Sequence, residues 1–369
     1  MIQKARLTNL FCQLVRIDAP SLNEREMAET IKTMLQNQGC SIEEDDAGSE
    51  IGGNCGNLLA RWPGELEEPP LLFGVHLDTV GPCQGKEAVI GSDQVIRSQG
   101  QTILGADDLS GVAAVLEAMQ SIREDRIPHR PVEILLSVAE ELHLRGSTHF
   151  DCRKVQAREA YVLDTSGSPG RAALQAPGHI TLTFEIFGQA AHAGIAPETG
   201  VSAIQAACRG IAKMKLGRID AETTANIGHI EGGGATNIVA DYCRVTAECR
   251  SLNQEKLETQ AADMRAGMEQ GAAETGARVA IQAETSYHPY RVEPEHPVVR
   301  RYVRACNRIG LPGELATSGG GSDNNVLMRN GIQGIVLTCG MKDVHSCQEN
   351  ISVEDLTNTA RLVEALIMD

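Results

Sequence analysis

Eight acidic and histidine side chains stand where a fold can gather them: His76, Asp78, Asp107, Asp108, Glu140, Glu141, Asp164 and His345. His76 and Asp78 close the apolar run Leu71-Leu-Phe-Gly-Val75. Glu140 and Glu141 follow Ile134-Leu-Leu-Ser-Val-Ala139, and Asp164 follows Tyr161-Val-Leu163. Taken alone, an H-x-D is as well read as a core histidine, and a Glu-Glu pair as a solvated face. Asp107 alone suits a helix cap. A solvated face is not expected directly after an apolar run, and the set of strand-end positions makes the case together. Ligands of open α/β sheets bind beyond the carboxyl ends of the strands, so these residues should share one crevice. Carboxylates that close repel one another unless a cation neutralises them. Oxygen and imidazole donors together suit zinc, or cobalt or manganese in the same geometry.

The elements that must position these residues are legible as pattern. Ser21-Leu-Asn-Glu24 has the spacing of a capping box, ahead of Met27, Ile31, Met34 and Leu35 at helical intervals, with Gly39 as the stop. From about residue 70, buried strands alternate with helices: strands at 71–78, 132–139 and 160–164, and a helix opened by Asp107 with Val112, Val115, Leu116 and Met119 on one stripe. Such alternation predicts an α/β sheet flanked by helices. The middle of the chain differs. Ile180, Leu182, Phe184 and Ile186 alternate, as do Val239, Cys243, Val245, Ala247 and Cys249 with a break at Asp241. Helical segments near 201–215 and 254–272, a strand near 224–230 and a last one at Val279 and Ile281 complete a β-α-β-β-α-β order, the split unit of a ferredoxin-like domain. Residues 177–287 are expected as an inserted domain, and 1–176 with 288–369 as a discontinuous outer one. In the latter, Pro297 starts a helix, 334–338 forms a strand and Ser352 caps the final helix.

Composition narrows the classes. The chain has 369 residues, 42% of them hydrophobic, enough for two domains with their own cores. Its net charge of −16 argues against nucleic acid as a partner. The apolar runs are too short to span a bilayer, so no membrane partner is expected, and the first ten residues lack a signal-peptide pattern, so a cytoplasmic location is the expectation. Eleven cysteines without a C-x-x-C pair are expected as reduced thiols.

The order of these motifs resembles the two-zinc peptidase family that contains tripeptidase T and glutamate carboxypeptidase, and within it the peptidase-T-like branch. The pieces read Val75-His-Leu-Asp-Thr79, Gly105-Ala-Asp-Asp108, Ala139-Glu-Glu-Leu142, Val162-Leu-Asp164, Gln189-Ala-Ala-His-Ala-Gly194, Ala235-Thr-Asn-Ile238, Glu248-Cys-Arg-Ser251, Gly319-Gly-Gly-Ser-Asp323 and Val344-His-Ser346. The resemblance covers nearly the whole chain. It implies a zinc-peptidase-type α/β catalytic domain, with a mixed sheet flanked by helices, and an inserted α+β ferredoxin-like lid or dimerisation domain. The resemblance implies two divalent metal ions per chain, with zinc the expected identity and cobalt or manganese as substitutes. Asp107 would bridge them, His76 and Asp164 completing one site, Glu141 and His345 the other. Asp78 would hydrogen-bond the His76 ring and fix its tautomer. Glu140 would be the general base, taking a proton from a water held between the metals and returning it to the leaving amine. His192 would stabilise the oxyanion, often across a homodimer interface, and Asn237 and Arg250 would hold the substrate's carboxylate. Asp164, where deacetylase and carboxypeptidase members usually carry Glu, implies action on a free N-terminus of a short peptide.

Three positions depart from the family pattern: Leu109 where Lys is usual, His143 where Gly is usual, and Thr165 where Gly often stands. They keep two other readings open. One is an amidohydrolase or deacylase acting on N-acyl amino acids; the other is a non-catalytic protein that binds metal or peptide.

Overall fold

The structure is a computed structural model that describes all 369 residues. Its contacts divide the chain into two units, Met1–Gln175 with Arg291–Asp369, and Ala176–Tyr290.

In the first unit, four parallel strands form the centre of a mixed sheet, in the order Val132–Ser137, Leu71–His76, Glu159–Thr165, Gln333–Thr338. Leu71–His76 and Val132–Ser137 are buried at every residue, which is why they read as unbroken apolar runs rather than alternating ones. Leu58–Trp62 and Ser41–Glu44 extend one side antiparallel, and Arg171–Ala176 extends the other. Being parallel, the four central strands all end at the same edge, so the loops after His76, Ser137, Thr165 and Thr338 emerge together. The helix Ala106–Asp125 packs against two of these strands and against the helices Lys4–Val15 and Val353–Ile367. It is buried almost all round, Leu109 included. Ser352 caps the last helix by accepting from Asp355 N at 2.9 Å. A small sheet of Ala88–Ile90, Val95–Ser98, Asn350–Ser352 and Met341–Lys342 carries the His345 loop.

The expected capping box is absent. The second helix runs Arg25–Asn37, and Glu24 at its N-cap makes no side-chain cap bond. The Ser21 hydroxyl instead donates to Asp78 Oδ2 at 2.6 Å, and Glu24 Oε1 accepts from Leu22 N and from Ala139 N, both at 2.9 Å.

The second unit is an antiparallel sheet in the order Thr223–Gly232, Tyr242–Ser251, Gly178–Phe187, Arg278–Tyr287, with helices Ala203–Ile211 and Gln254–Thr275 packed together against it. The chain order of these elements with this strand order is the ferredoxin-like arrangement. Its core joins Leu182, Phe184, Ile186, Val245 and Cys249 from the sheet to Met264 and Met268 from the long helix. Asp241 breaks the alternation because the strand starts only at Tyr242. Val239 lies in the loop before it, where its N–H donates to Ala191 O. No helix is long and apolar enough to cross a membrane.

Candidate metal centre

The shared edge of the four parallel strands assembles the first unit's candidates. His76 ends its strand with Nε2 3.1 Å from Asp107 Oδ1, and the other Asp107 oxygen lies 3.3 Å from His345 Nε2. Each carboxylate oxygen of Asp107 therefore faces a different imidazole. His345 Nε2 is also 3.1 Å from Glu141 Oε1. Donor atoms of His76, Asp107 and Glu141 lie within 4.8 Å of one another, as do those of His76, Glu140 and Asp164. Asp107 interrupts the helical dihedrals at the start of its helix, with ψ at 104°.

These atoms fit divalent cations on their chemistry. Glu141 Oε1 is buried with His345 Nε2 3.1 Å away, a carboxylate oxygen and an imidazole nitrogen side by side, which are donor types that a divalent cation takes. The charge balance agrees. Burial, then the charge of Asp164, pushes the Glu140 carboxyl well above its ordinary range, and burial followed by Asp107 does the same to Asp164. Beside the Asp107 and Glu141 carboxylates the His345 pKa rises to about 10, and a cation held there would take the place of that proton. Excess negative charge in a dry crevice is what a bound cation relieves.

Asp78 departs from expectation in part. His76 Nδ1 bonds the backbone carbonyl of Asp78 at 2.9 Å, with the carboxylate oxygen at 3.4 Å. The carboxylate itself accepts from Glu140 N at 3.0 Å and Glu141 N at 3.2 Å, so its main work is on the loop that carries those residues. Thr165 is half-buried, and His143 is exposed, with φ at 63° on the same loop.

His192, Asn237 and Arg250 belong to the second unit. His192 pairs with Ile238 in an isolated bridge and Ala193 N donates to Asn237 O at 2.9 Å, so these two candidates share one end of the sheet. Arg250 is at the other end of Tyr242–Ser251, where Glu248 holds its fork through Oε2 at 2.9 Å and Oε1 at 3.2 Å. Eight residues of strand set it roughly 26 Å from the loop of Asn237 at ~3.3 Å per residue. One chain does not bring Asn237 and Arg250 to the same carboxylate.

Residues 174–276 match the peptidase dimerisation domain, and residues 57–205 match peptidase family M28. The solved structure of a tripeptidase from Staphylococcus aureus superimposes with a TM-score of 0.95 at 35% identity, covering 100% of this chain and 98% of that one. Aminopeptidase PepT from Bacillus cereus superimposes with a TM-score of 0.90 at 40% identity over 100% of this chain and 98% of its own. The chain belongs to the peptidase-T family of zinc peptidases. Peptidase T of Escherichia coli K12 is a further relative, 24% identical over 85% of each chain.

Several residues that build this peptidase-T centre escaped the sequence reading. Glu349, buried, accepts from Gly105 N at 2.6 Å and Asp107 N at 2.9 Å, fixing the backbone that presents Asp107. Asn57, also buried, accepts from Val138 N at 3.1 Å and donates to Gly146 O at 2.9 Å, spanning the loop of Glu140 and Glu141. Asp323, in the Gly319–Asp323 motif, accepts from the Ser137 hydroxyl. Only that motif offered a signal; Glu349, Asn57 and Glu24 act on backbone amides of distant loops, which no local pattern marks.

Proposed function

We propose that this peptidase is an aminopeptidase of the tripeptidase type, removing the N-terminal residue from short peptides with two divalent metal ions bound at Asp107. The observation that carries the reading is Asp107 itself, a buried carboxylate with a separate histidine against each oxygen. His76 and Asp164 would hold one ion, Glu141 and His345 the other, and Asp107 both; the mixed imidazole and carboxylate set suits zinc. Bound there, the pair would polarise the scissile carbonyl and make the attacking water more acidic. Glu140, a buried carboxylate of raised pKa whose backbone is held by Asp78, accepts a proton from that water and passes it to the leaving amine. Asp164 in place of Glu supports preference for a free N-terminus, by the family resemblance.

His192 donates to the oxyanion, and Asn237 and Arg250 hold the substrate's carboxylate. Their separation along one strand supports a homodimer in which Arg250 serves a site together with His192 and Asn237 of the other copy. Eleven free thiols suit a reducing cytoplasm.

The test is turnover of zinc-, cobalt- or manganese-loaded protein on free di- and tripeptides, their N-acetylated forms and N-acyl amino acids. Release of the N-terminal residue from free peptides alone is expected; cleavage of acylated compounds alone would make the protein an amidohydrolase. Glu140→Gln should lower kcat by about 10²–10⁴-fold, the range for a lost general base, with metal content unchanged by atomic absorption.

A further inference from the structure

The loop that follows strand Val132–Ser137 has an unusual backbone. Ala139, His143 and Leu144 all have positive φ, 49°, 63° and 63°, a region that disfavours side chains other than glycine's. Such a conformation persists only where the surroundings over-determine it. Here four consecutive amides donate to side chains from elsewhere in the chain. Val138 N reaches Asn57 Oδ1 at 3.1 Å, Ala139 N reaches Glu24 Oε1 at 2.9 Å, and Glu140 N and Glu141 N reach the two oxygens of Asp78 at 3.0 and 3.2 Å. Glu24 is fully buried, and its Oε1 also takes Leu22 N, itself at φ 73°. One carboxylate oxygen thus ties two left-handed turns, more than a hundred residues apart, to each other. Glu24 Oε2 has no partner, so the side chain is not there to satisfy both of its own oxygens.

We propose that Glu24 is a positioning residue for the peptidase reaction: it fixes the Ala139 amide and thereby aims the Glu140 and Glu141 carboxylates. Glu24 touches no reacting atom and acts through the backbone. The inference rests on the reading of Glu140 as base and Glu141 as metal ligand. Because a misplacement of about 1 Å can lower a rate by roughly 10²-fold, loss of the tie has a kinetic signature distinct from loss of fold.

Two variants of similar size separate acceptor from packing: Glu24→Gln keeps an oxygen for the two amides, and Glu24→Met does not. Hydrogen exchange of the Val138–Glu141 amides, resolved by fragmentation mass spectrometry in metal-free and zinc-loaded protein, is read alongside kcat and KM. Glu24→Met should expose these amides and lower kcat by about 10²-fold with KM within about threefold, while Glu24→Gln restores protection and most of the turnover. Equal loss of kcat in both variants, or unchanged exchange in Glu24→Met, would overturn the proposal. If Glu24→Met does not fold, the wild type decides. Its Ala139 amide must exchange as slowly as a strand amide, and loop-rate exchange sinks the idea. An unreactive wild type with protected amides would count against the peptidase reading and leave the tie standing.

Discussion

In the second unit, His179 Nε2 lies 2.8 Å from Glu248 Oε2, and Arg250 donates to both oxygens of the same carboxylate. The hydrogen bond from His179 outweighs partial burial, and with Arg250 brings the Glu248 carboxyl down to about 2. The folded pKa lies below the unfolded value near 4.3, so the ionised partner set favours the folded state at neutral pH. That contribution is present above about pH 4.3 and is lost as pH falls toward 2. Glu248→Gln should therefore lower the thermal midpoint at pH 6–7, with the gap to wild type closing as the pH drops below 4. A gap that is constant from pH 7 to pH 3 would show that the charge does not matter. At this scale the sequence was readable where side chains follow from strand ends: His76, Glu140 and Asp164 each come after an apolar run that must be a buried strand. It was misleading at Ser21 and Glu24, whose spacing suits a helix cap but whose partners are Asp78 and Ala139, brought near only by the tertiary fold.

Elements were more legible than their edges. Strand runs without alternation meant burial on both faces, and alternation from Ile180 to Ile186 meant a sheet covered on one face, as found. What periodicity does not carry is which strand lies at an open edge. Thr223–Gly232 is paired on one side by Tyr242–Ser251, and on the other only by Gly217–Arg218 against Thr224 and Ala225. From Asn226 onward its outer backbone groups have no strand partner, and Ile230 is 46% exposed. Open apolar edges of this kind are templates for pairing with another chain. If this edge forms the proposed homodimer, Ile230→Lys should weaken association by roughly tenfold, about 1.4 kcal/mol, as an interface side chain of moderate weight would. Sedimentation velocity across a dilution series reads this directly, and an unchanged dissociation constant would move the interface to another face.

The whole molecule carries a net charge of −16, and its centre adds buried carboxylates that two cations would offset. That centre lies within one unit, whereas His192 and Asn237 stand at one end of the other unit's sheet and Arg250 at its opposite end. If catalysis needs all of them at one substrate, the complete site requires groups from two copies, and this can be tested without an image of the dimer. Glu140→Gln leaves a chain with intact His192 but no base; His192→Ala leaves the base but no oxyanion donor. Each homodimer should be nearly inactive. On equal mixing and random exchange of subunits, half the dimers are mixed, and in each of these the site with Glu140 receives His192 from its neighbour. About a quarter of wild-type activity should then return, a value set by the twofold symmetry alone. Metal content and thermal midpoint of the two parents, measured before mixing, guard against loss through misfolding. Recovery near that fraction assigns His192 to the other copy's site. A mixture whose subunits exchange, shown by mass spectrometry with one parent isotopically labelled, but which stays inactive would place His192 in the site of its own chain.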